Sequence, residues 1–424
     1  MLLHCRVVTS LISSLLVLAL GVLSVACDSA GDSDGTPASP PYLGDASARR
    51  ALLEAALWRP ELPYSRELLD SYGFGDRGWD LLPILGTESR PFTVTDAAHL
   101  ASGGQLDSKG ATSLGDRRPT TQQQWRRLGE SVFTLLPMRE DGYVTWLASN
   151  PQAWPELGVA PRADGTVRGL VVYPRLGGNG AAVGVTCAMC HGGDNVLGRG
   201  DRHIDVGAIR VSHAEALGRT PEPILRNWGP GRADVTDDGV SSVTAIPDLW
   251  GLDEAQYLNA SGAIAAASPG AMAVRFETQY IKGHRMRARP SRTTMWALTQ
   301  FLISLKPPAD DPRFAGVESQ PALANAGQAA FEANCARCHE PNRAFSGGLV
   351  SAASLAVEQS VATTPERGTG FYKVPSLRHV RANAPYLHDG SAPSLAALLA
   401  SGHPRGDVLP ATARSALIAY LETL

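Results

Sequence analysis

Cys-Ala-Met-Cys-His at residues 187–191 recurs as Cys-Ala-Arg-Cys-His at residues 335–339. In such a motif the two thiols can add to the two vinyl groups of one porphyrin, and the histidine that follows can bind the iron. A lone Cys-x-x-Cys also fits half of a zinc site or a thioredoxin-like dithiol. Two copies, each followed by His and with no further ligand set at zinc spacing, favour two covalently bound c-type haems.

The N-terminal segment predicts export. Residues 7–26 carry no charge and follow Arg6, as in a secretory signal. The run also has about the twenty residues that a transmembrane helix needs. The small residues before Cys27 are similar to a bacterial lipobox, although Ser24 stands where Leu is usual. We therefore predict a signal segment over residues 1–27, with Cys27 as a lipid attachment site that tethers the protein to a membrane.

Residues 28–41 are acidic and rich in Pro, Gly and Ser, so they cannot bury a core and are predicted to form a flexible linker. Haem c is attached outside the cytoplasm in bacteria, so the export signal and the haem motifs support each other. We expect an exported protein of the periplasm or cell envelope, anchored by lipid. The formal net charge of -3 gives no basic surface, so nucleic acid is excluded as a partner.

An internal duplication organises the haem regions. Each Cys-x-x-Cys-His is followed by an apolar-Pro-x-Leu stretch, then by a Tyr-Leu pair, and finally by Ala-Leu-x-x-aromatic-Leu with the apolar spacing of an amphipathic helix. The matched pairs are residues 246–249 with 374–377, 257–258 with 386–387, and 297–302 with 416–421. With 43 Gly and 30 Pro in the chain, this pattern predicts an all-α, loop-rich fold with two cytochrome c-like domains in tandem.

The prolines of residues 306–312 are expected to end the helix of the first domain, because proline lacks the backbone donor and clashes with the preceding turn. The predicted domains are therefore residues 42–312, which include an N-terminal extension, and residues 313–424. The extension, residues 42–186, has no expected counterpart in the second domain and is predicted to be mostly helical. Its predicted helices cover residues 46–58 and 122–136, and its predicted turns residues 73–78 and 179–184.

Two stretches of the second haem region carry a family resemblance. Residues 372–378 read Tyr-Lys-Val-Pro-Ser-Leu-Arg and residues 384–390 read Ala-Pro-Tyr-Leu-His-Asp-Gly. They resemble the C-terminal domain of bacterial di-haem cytochrome c peroxidases and the related MauG enzymes, over roughly residues 180–424. In that superfamily one haem transfers electrons and the other, in the N-terminal haem domain, meets peroxide. The rubber oxygenases are longer di-haem relatives that bind dioxygen.

The resemblance implies roles for the motif residues. His191 and His339 are the implied proximal ligands, and the implied thioether anchors are Cys187, Cys190, Cys335 and Cys338. The family's electron-transfer haem commonly has a distal Met beyond the His-Asp-Gly motif, but no Met follows Met295 here. His403 occupies that region and is our candidate for the distal ligand, which would keep the potential of this haem lower than Met does. The alternative is a solvated loop histidine.

The other histidines of the second haem region are weaker candidates. His388 is expected to organise its loop, and His379 is the least favoured ligand. The resemblance also implies a small periplasmic electron donor, either a cytochrome c or a cupredoxin. Related peroxidases hold a calcium ion between the domains, whose oxygen ligands the sequence does not place.

The distal side of the first haem is less determined. Glu277 lies within two residues of where the family's glutamate would stand, and a carboxylate there could move a proton between the two peroxide oxygens. It could equally pair with Arg275 or Arg285 at the surface. The family's Trp-Asp-Gly is replaced by Asn-Ala-Ser-Gly at residues 259–262, and no Gln lies at the expected spacing. Further distal candidates are His203, His213, His284 and Met272, and aromatic residues available as an electron conduit are Trp228, Trp250 and Trp296.

We therefore expect a di-haem c-type oxidoreductase that accepts electrons at the His339 haem and reduces hydrogen peroxide at the His191 haem. Two alternatives stay open. The first is a haem-dependent oxygenase of the rubber-oxygenase type, which binds dioxygen. The second is a non-enzymatic electron carrier in which both haems have two axial ligands.

Overall fold

The computed structural model describes residues 40–71, 78–115, 118–175, 180–234, 243–266, 268–314 and 321–424. The predicted signal segment with Cys27, most of the predicted linker and most of the predicted turn at residues 73–78 lie outside these ranges. Within them, no helix has both the length and the apolarity needed to cross a membrane. The described residues belong to one compact unit. The division into residues 42–312 and 313–424 stays a prediction.

Helices dominate the described ranges, and the strands form small sheets. The α-helices are α1 (Pro41–Gly44), α2 (Ala46–Ala56), α3 (Pro63–Ser71), α4 (Val94–Ala101), α5 (Gln122–Leu135), α6 (Gly142–Ser149), α7 (Ala188–His191), α8 (Val206–Ala216), α9 (Pro269–Gly283), α10 (Arg292–Leu302), α11 (Pro321–Asn334), α12 (Ser360–Thr363), α13 (Leu395–Ala400) and α14 (Ala411–Leu421). The β-strands are β1 (Glu88–Thr93), β2 (Thr112–Ser113), β3 (Thr166–Pro174), β4 (Ala181–Val185), β5 (Arg232–Ala233), β6 (Thr244–Ala245), β7 (Tyr257–Leu258), β8 (Ile264–Ala265), β9 (Leu349–Ser351) and β10 (Phe371–Lys373). The fold is helix-rich with small sheets, so the all-α prediction is correct only in part.

The helices expected in the extension are present. α2 begins after Asp45, whose carboxylate accepts hydrogen bonds from two backbone N–H groups of the first turn. α5 begins at a reciprocal capping box between Thr121 and Gln124. The two Ala-Leu-x-x-aromatic-Leu stretches form the C-terminal parts of α10 and α14, as predicted.

A four-stranded antiparallel sheet, in the order β2-β1-β3-β4, contradicts the expectation of a mostly helical extension. The predicted turn at residues 179–184 is wrong for residues 181–184, because these pair with β3 as part of β4. Gly184 suggested a turn, but it lies in β4, where the absence of a side chain allows neighbouring residues to pack closely. A Cβ atom there would lie 2.6 Å from the Pro137 side chain and 3.0 Å from the ring of Tyr173.

A repeated helix crossing extends the internal duplication. α5 packs on α10, and α11 packs on α14. At the first crossing Gly129 faces the backbone oxygen of Ala297, which a Cβ atom would approach to 2.0 Å. At the second crossing Gly327 faces the backbone oxygen of Ala416, which a Cβ atom would approach to 1.9 Å. Only glycine permits either contact without moving a helix.

A buried phenylalanine follows each of these glycines by four residues. Phe133 lies 5.5 Å from the ring of Phe301, and Phe331 lies 5.4 Å from the ring of Tyr420. α5 is therefore the counterpart of α11, and the expectation that residues 42–186 have no counterpart is wrong for this helix. We call residues 122–302 the first haem unit and residues 321–424 the second haem unit.

The first haem unit carries an insertion that the second lacks. In the second unit Cys335 comes about one turn after Phe331, whereas α6, β3 and β4 all lie between Phe133 and Cys187. The insertion brings the chain out of β4 directly into the first haem motif. Gly169 of β3 lies against this motif, since a Cβ atom there would approach the backbone of Met189 to 2.3 Å. The sheet therefore packs against the first haem motif through β3.

Candidate haem sites

In the first haem motif, one ring nitrogen of the histidine forms a hydrogen bond to the backbone. His191 ends α7, and its Nδ1 lies 3.0 Å from the carbonyl oxygen of Pro247. A carbonyl only accepts, so Nδ1 carries the hydrogen and Nε2 is left as a metal ligand. Burial lowers the pKa of His191 to about 4. The ring is therefore neutral near pH 7, as metal binding requires.

The second haem motif repeats this arrangement. Nδ1 of His339 lies 3.1 Å from the carbonyl oxygen of Phe345 and 3.2 Å from that of Pro375. Burial, assisted by the nearby His403, lowers the pKa of His339 to about 4. Pro247 and Pro375 are the matched prolines of the duplicated Pro-x-Leu stretch. The duplication thus preserves the carbonyl that orients each histidine.

The backbone just after each Pro-x-Leu stretch is also conserved between the two units. Gly251 and His379 hold equivalent positions and adopt left-handed φ angles of 80° and 58°. The ring of His379 packs edge-on against Phe314 at 5.5 Å. His379 therefore has a structural position in a turn, in agreement with its low ranking as a ligand.

The four motif thiols form no disulfide. Burial raises the pKa of Cys187 to about 11, of Cys190 to about 12 and of Cys335 to about 11. Such thiols are protonated near pH 7, unlike the low-pKa cysteine of a thioredoxin-like dithiol. Among the residues that the structure describes, no group of three or more His, Cys, Asp or Glu could hold a metal ion.

His403 acts electrostatically on His339. It lies in the loop after α13, where burial lowers its pKa, and its charge acts on His339. Neither of its ring nitrogens has a hydrogen-bond partner in the described part of the chain, and Nδ1 is fully buried. A buried ring nitrogen without a partner is costly and calls for a ligand or ion that completes it. His403 is therefore a largely buried histidine and not a solvated one, and it stays the candidate for the distal ligand.

His388 holds its loop together, as predicted. Its ring stacks on Tyr372 at 4.7 Å, and its Nε2 lies 3.3 Å from Glu358 Oε2. Its carbonyl oxygen accepts a hydrogen bond from the backbone N–H of Ala245 in the first haem unit. These contacts fix the His-Asp-Gly loop against the first unit.

No histidine among the distal candidates acts electrostatically on His191. His284 is buried, and its Nε2 donates to the carbonyl oxygen of Pro137 at 2.8 Å, so this nitrogen is used. Met272 packs in the core. Within the described ranges, the one charged group that acts on His191 is Arg202. Within the part of the chain that the structure describes, the two sites therefore differ electrostatically: a second histidine acts on His339, and none acts on His191.

Glu277 is fully buried in α9. Its Oε2 accepts a hydrogen bond of 3.1 Å from the Tyr42 hydroxyl, and its Oε1 lies 3.3 Å from Arg292. The alternative of a surface pair with Arg275 or Arg285 is therefore wrong. Sequence patterns gave no signal for these partners, since Tyr42 belongs to the extension and lies 235 positions away.

Glu277 shares a helix face with a residue that contacts the first haem motif. Tyr280 follows it by three residues on α9, so both side chains lie on one side. The Tyr280 hydroxyl is buried 3.9 Å from Sγ of Cys187, and burial raises its pKa well above the usual value. α9 therefore presents this face toward the first haem motif.

The extension places an aromatic residue between the haem units. Trp58 Nε1 donates to the carbonyl oxygen of Gly262 at 2.8 Å, and its ring lies 6.3 Å from both Tyr257 and Phe371. Of the aromatics considered for electron transfer, Trp250 has its ring centroid 4.8 Å from the guanidinium carbon of Arg313. Trp58 could not be predicted from the sequence, because no local pattern links it to residues 259–262.

Comparisons with known proteins find similarity to c-type cytochromes. Residues 370–408 match a family model described as RoxA-like, cytochrome c-like. The methylamine utilization protein MauG of Methylorubrum extorquens is 26% identical over 302 residues, which cover 65% of this chain and 80% of MauG. Hydrazine synthase of Kuenenia stuttgartiensis aligns over 83% of this chain and 98% of its own at 17% identity, but the TM-score of 0.37 is too low to indicate a shared overall fold. The chain is thus similar to the di-haem c-type cytochromes related to MauG.

Proposed function

We propose that this c-type oxidoreductase binds two haems, takes up electrons at the haem on His339 and reduces hydrogen peroxide at the haem on His191. The observation that carries the proposal is the difference between the two sites. His403 acts electrostatically on His339, whereas no second histidine acts in this way on His191 among the described residues. A haem with two axial ligands suits electron transfer, and one with a free position can bind a small oxidant.

The haems, when bound, supply iron that accepts and passes single electrons. The chain's own residues orient and surround them. Pro247 and Pro375 hold the proximal imidazoles by their Nδ1–H groups. Such hydrogen bonds fix the orientation of a ligand and raise its basicity. The two rings stay neutral and available as ligands near pH 7 because both are buried.

Glu277 is the proposed proton carrier of the first site. Tyr42 and Arg292 hold its carboxylate in a fully buried position, on the helix face that contacts Cys187 through Tyr280. A positioned carboxylate of this kind can take a proton from one peroxide oxygen and give it to the other, typically for a gain of about 10²–10⁴ in rate.

The remaining parts of the proposal concern location and partners. We propose export by the segment of residues 1–27, a lipid anchor on Cys27 at a membrane surface and residence in the periplasm or cell envelope. A small cytochrome c or cupredoxin is the proposed electron donor.

A second candidate is a haem-dependent oxygenase of the rubber-oxygenase type. The match of residues 370–408 to a RoxA-like model, which spans His403, favours it. The absent Trp-Asp-Gly motif agrees with a departure from the peroxidases. The oxidant in that case would be dioxygen.

The purified mature holoprotein tests both candidates. We expect two haem c equivalents per chain in a pyridine haemochrome assay, one low-spin and one high-spin ferric signal by electron paramagnetic resonance, and turnover of peroxide with a reduced donor. A stable ferrous-dioxygen absorption band without peroxide turnover would favour the oxygenase. Two low-spin haems that bind neither cyanide nor peroxide in any redox state would leave only an electron carrier.

A further inference from the structure

A buried carboxylate lies beside the residue that orients the first haem ligand. Asp248 directly follows Pro247, whose carbonyl oxygen accepts the hydrogen bond from His191. The side chain of Asp248 is only 4% exposed. Arg202 lies 3.5 Å from its Oδ1, and Arg313 lies 3.3 Å from its Oδ2. Oδ1 also accepts a backbone hydrogen bond, from the N–H of residue 200 at 2.8 Å.

The same two arginines reach the second haem unit. Nε of Arg202 donates to the carbonyl oxygen of Ala384 at 3.2 Å, and Nη1 of Arg313 donates to that of Ala382 at 2.5 Å. These carbonyls belong to the stretch that leads into the Tyr-Leu-His-Asp-Gly loop. Asp248 therefore lies at the centre of a network that connects the irregular segment next to His191 with the second unit.

The second haem site has no equivalent charge. The residue that corresponds to Asp248 in the duplicated Pro-x-Leu stretch is Ser376. Its hydroxyl donates to the carbonyl oxygen of Ala344 at 2.6 Å, within its own unit. The orientation of the histidine by a proline carbonyl is thus common to both sites, whereas the carboxylate belongs to the first site alone.

The charges of the network balance. Arg313 also pairs with Asp311 at 2.7 Å, so two carboxylates face two guanidinium groups. Replacement of one member by a neutral side chain leaves a buried net charge close to the first haem motif. Net charge near a metal centre is one of the factors that set its reduction potential. Excess positive charge favours the reduced iron, and excess negative charge favours the oxidised iron.

We propose that Asp248 is a positioning residue for the first haem: together with Arg202 and Arg313 it holds the Pro247 segment against the second haem unit and sets the reduction potential of the haem on His191. This inference rests on the proposed function only in requiring a haem at each motif. It assumes neither peroxide nor dioxygen as the substrate.

The test is a redox titration of both haems in the holoprotein, followed by absorption spectroscopy. Asp248→Asn should raise the potential of the first haem, because two guanidinium groups then face one carboxylate. Arg313→Gln should lower it, because two carboxylates then face one guanidinium group. The second haem should shift less in both variants. Asp253→Asn, which removes a more exposed carboxylate paired with Lys306, is the matched control and should leave both potentials unchanged.

Shifts of the same sign in Asp248→Asn and Arg313→Gln, equal shifts at both haems, or no shift in either variant would overturn the proposal. A purely structural role would perturb the site in the same direction whichever partner is lost. If Asp248→Asn fails to acquire haem, Asp248→Glu, which should keep the wild-type potential, and Arg313→Gln decide the matter. Fewer than two haems in the wild type would instead refute the proposed function, before any variant is compared.

Discussion

The repeated helix crossing makes a quantitative prediction about Gly327. Alanine is ordinarily preferred to glycine in a helix by about 1 kcal/mol. In Gly327→Ala, however, the new Cβ would lie 1.9 Å from the backbone oxygen of Ala416 and 2.8 Å from Cβ of Tyr420. A backbone oxygen cannot rotate away, so α11 and α14 must separate, and the ring contact between Phe331 and Tyr420 is weakened.

Overpacking of this kind typically costs about 1–3 kcal/mol. Because the obstacle is backbone, the cost should lie near the upper end of this range, and after the helix-propensity gain we expect Gly327→Ala to lower the free energy of unfolding by about 2 kcal/mol. Gly129→Ala should have a similar effect, since its Cβ would lie 2.0 Å from the backbone oxygen of Ala297. Gly86→Ala is the control, because no atom lies within 4 Å of the added group.

The assay is urea denaturation of the holoprotein, followed by far-ultraviolet circular dichroism. Both helix-crossing variants should unfold at clearly lower urea concentrations than Gly86→Ala. If Gly327→Ala and Gly129→Ala unfold at the same concentration as the control, the two crossings are not close-packed, and the assignment of α5 as the counterpart of α11 fails.

Three further predictions concern single side chains. His403→Ala should convert one low-spin haem to high spin in absorption and paramagnetic resonance spectra, whereas the control His388→Ala should not; an unchanged His403→Ala spectrum would remove this ligand. Glu277→Gln should lower kcat for peroxide by about 10²–10⁴ with unaltered haem spectra, and an unchanged kcat would exclude Glu277 as the proton carrier. Asp96→Asn should lower the free energy of unfolding by about 1 kcal/mol at pH 7, because its carboxylate accepts two hydrogen bonds from Arg90. Burial alone would raise the pKa of Asp96, but hydrogen bonds from Arg90 and Thr93 outweigh burial and lower it. The stability advantage of wild type over Asp96→Asn should therefore decrease as the pH falls below about 3.8, and it should be lost as the pH falls through the pKa of Asp96 in the folded protein. A difference between wild type and Asp96→Asn that does not decrease as the pH is lowered from 7 to 2 would contradict this reasoning.

Features encoded in short stretches could be predicted from the sequence. The haem motifs, the Pro-x-Leu stretches and the closing helices each depend on residues a few positions apart, and the helices expected in the extension were confirmed for the same reason. The structure added a reason for the Pro-x-Leu duplication, because Pro247 and Pro375 orient the two histidines.

Features that depend on distant residues could not be predicted in this way. Glu277 finds its partner Tyr42 across 235 positions, and Trp58 reaches Gly262 across 204. No periodicity or local motif encodes such contacts. The sheet was not predicted because glycine is common in turns. Here, however, the absence of a side chain at Gly184 lets Pro137 and Tyr173 approach β4.

The insertion between α5 and the first haem motif has a consequence for how such proteins can diversify. About twice as many residues separate the crossing partners Gly129 and Ala297 as separate Gly327 and Ala416, yet each doubling of a connection adds only about 0.6 kcal/mol of closure entropy. The pair α5 and α10 can therefore accommodate an inserted subdomain in this connection with little loss of stability. Related proteins can therefore gain residues around the iron in the connection between α5 and the haem motif, while the packing of α5 on α10 stays unchanged.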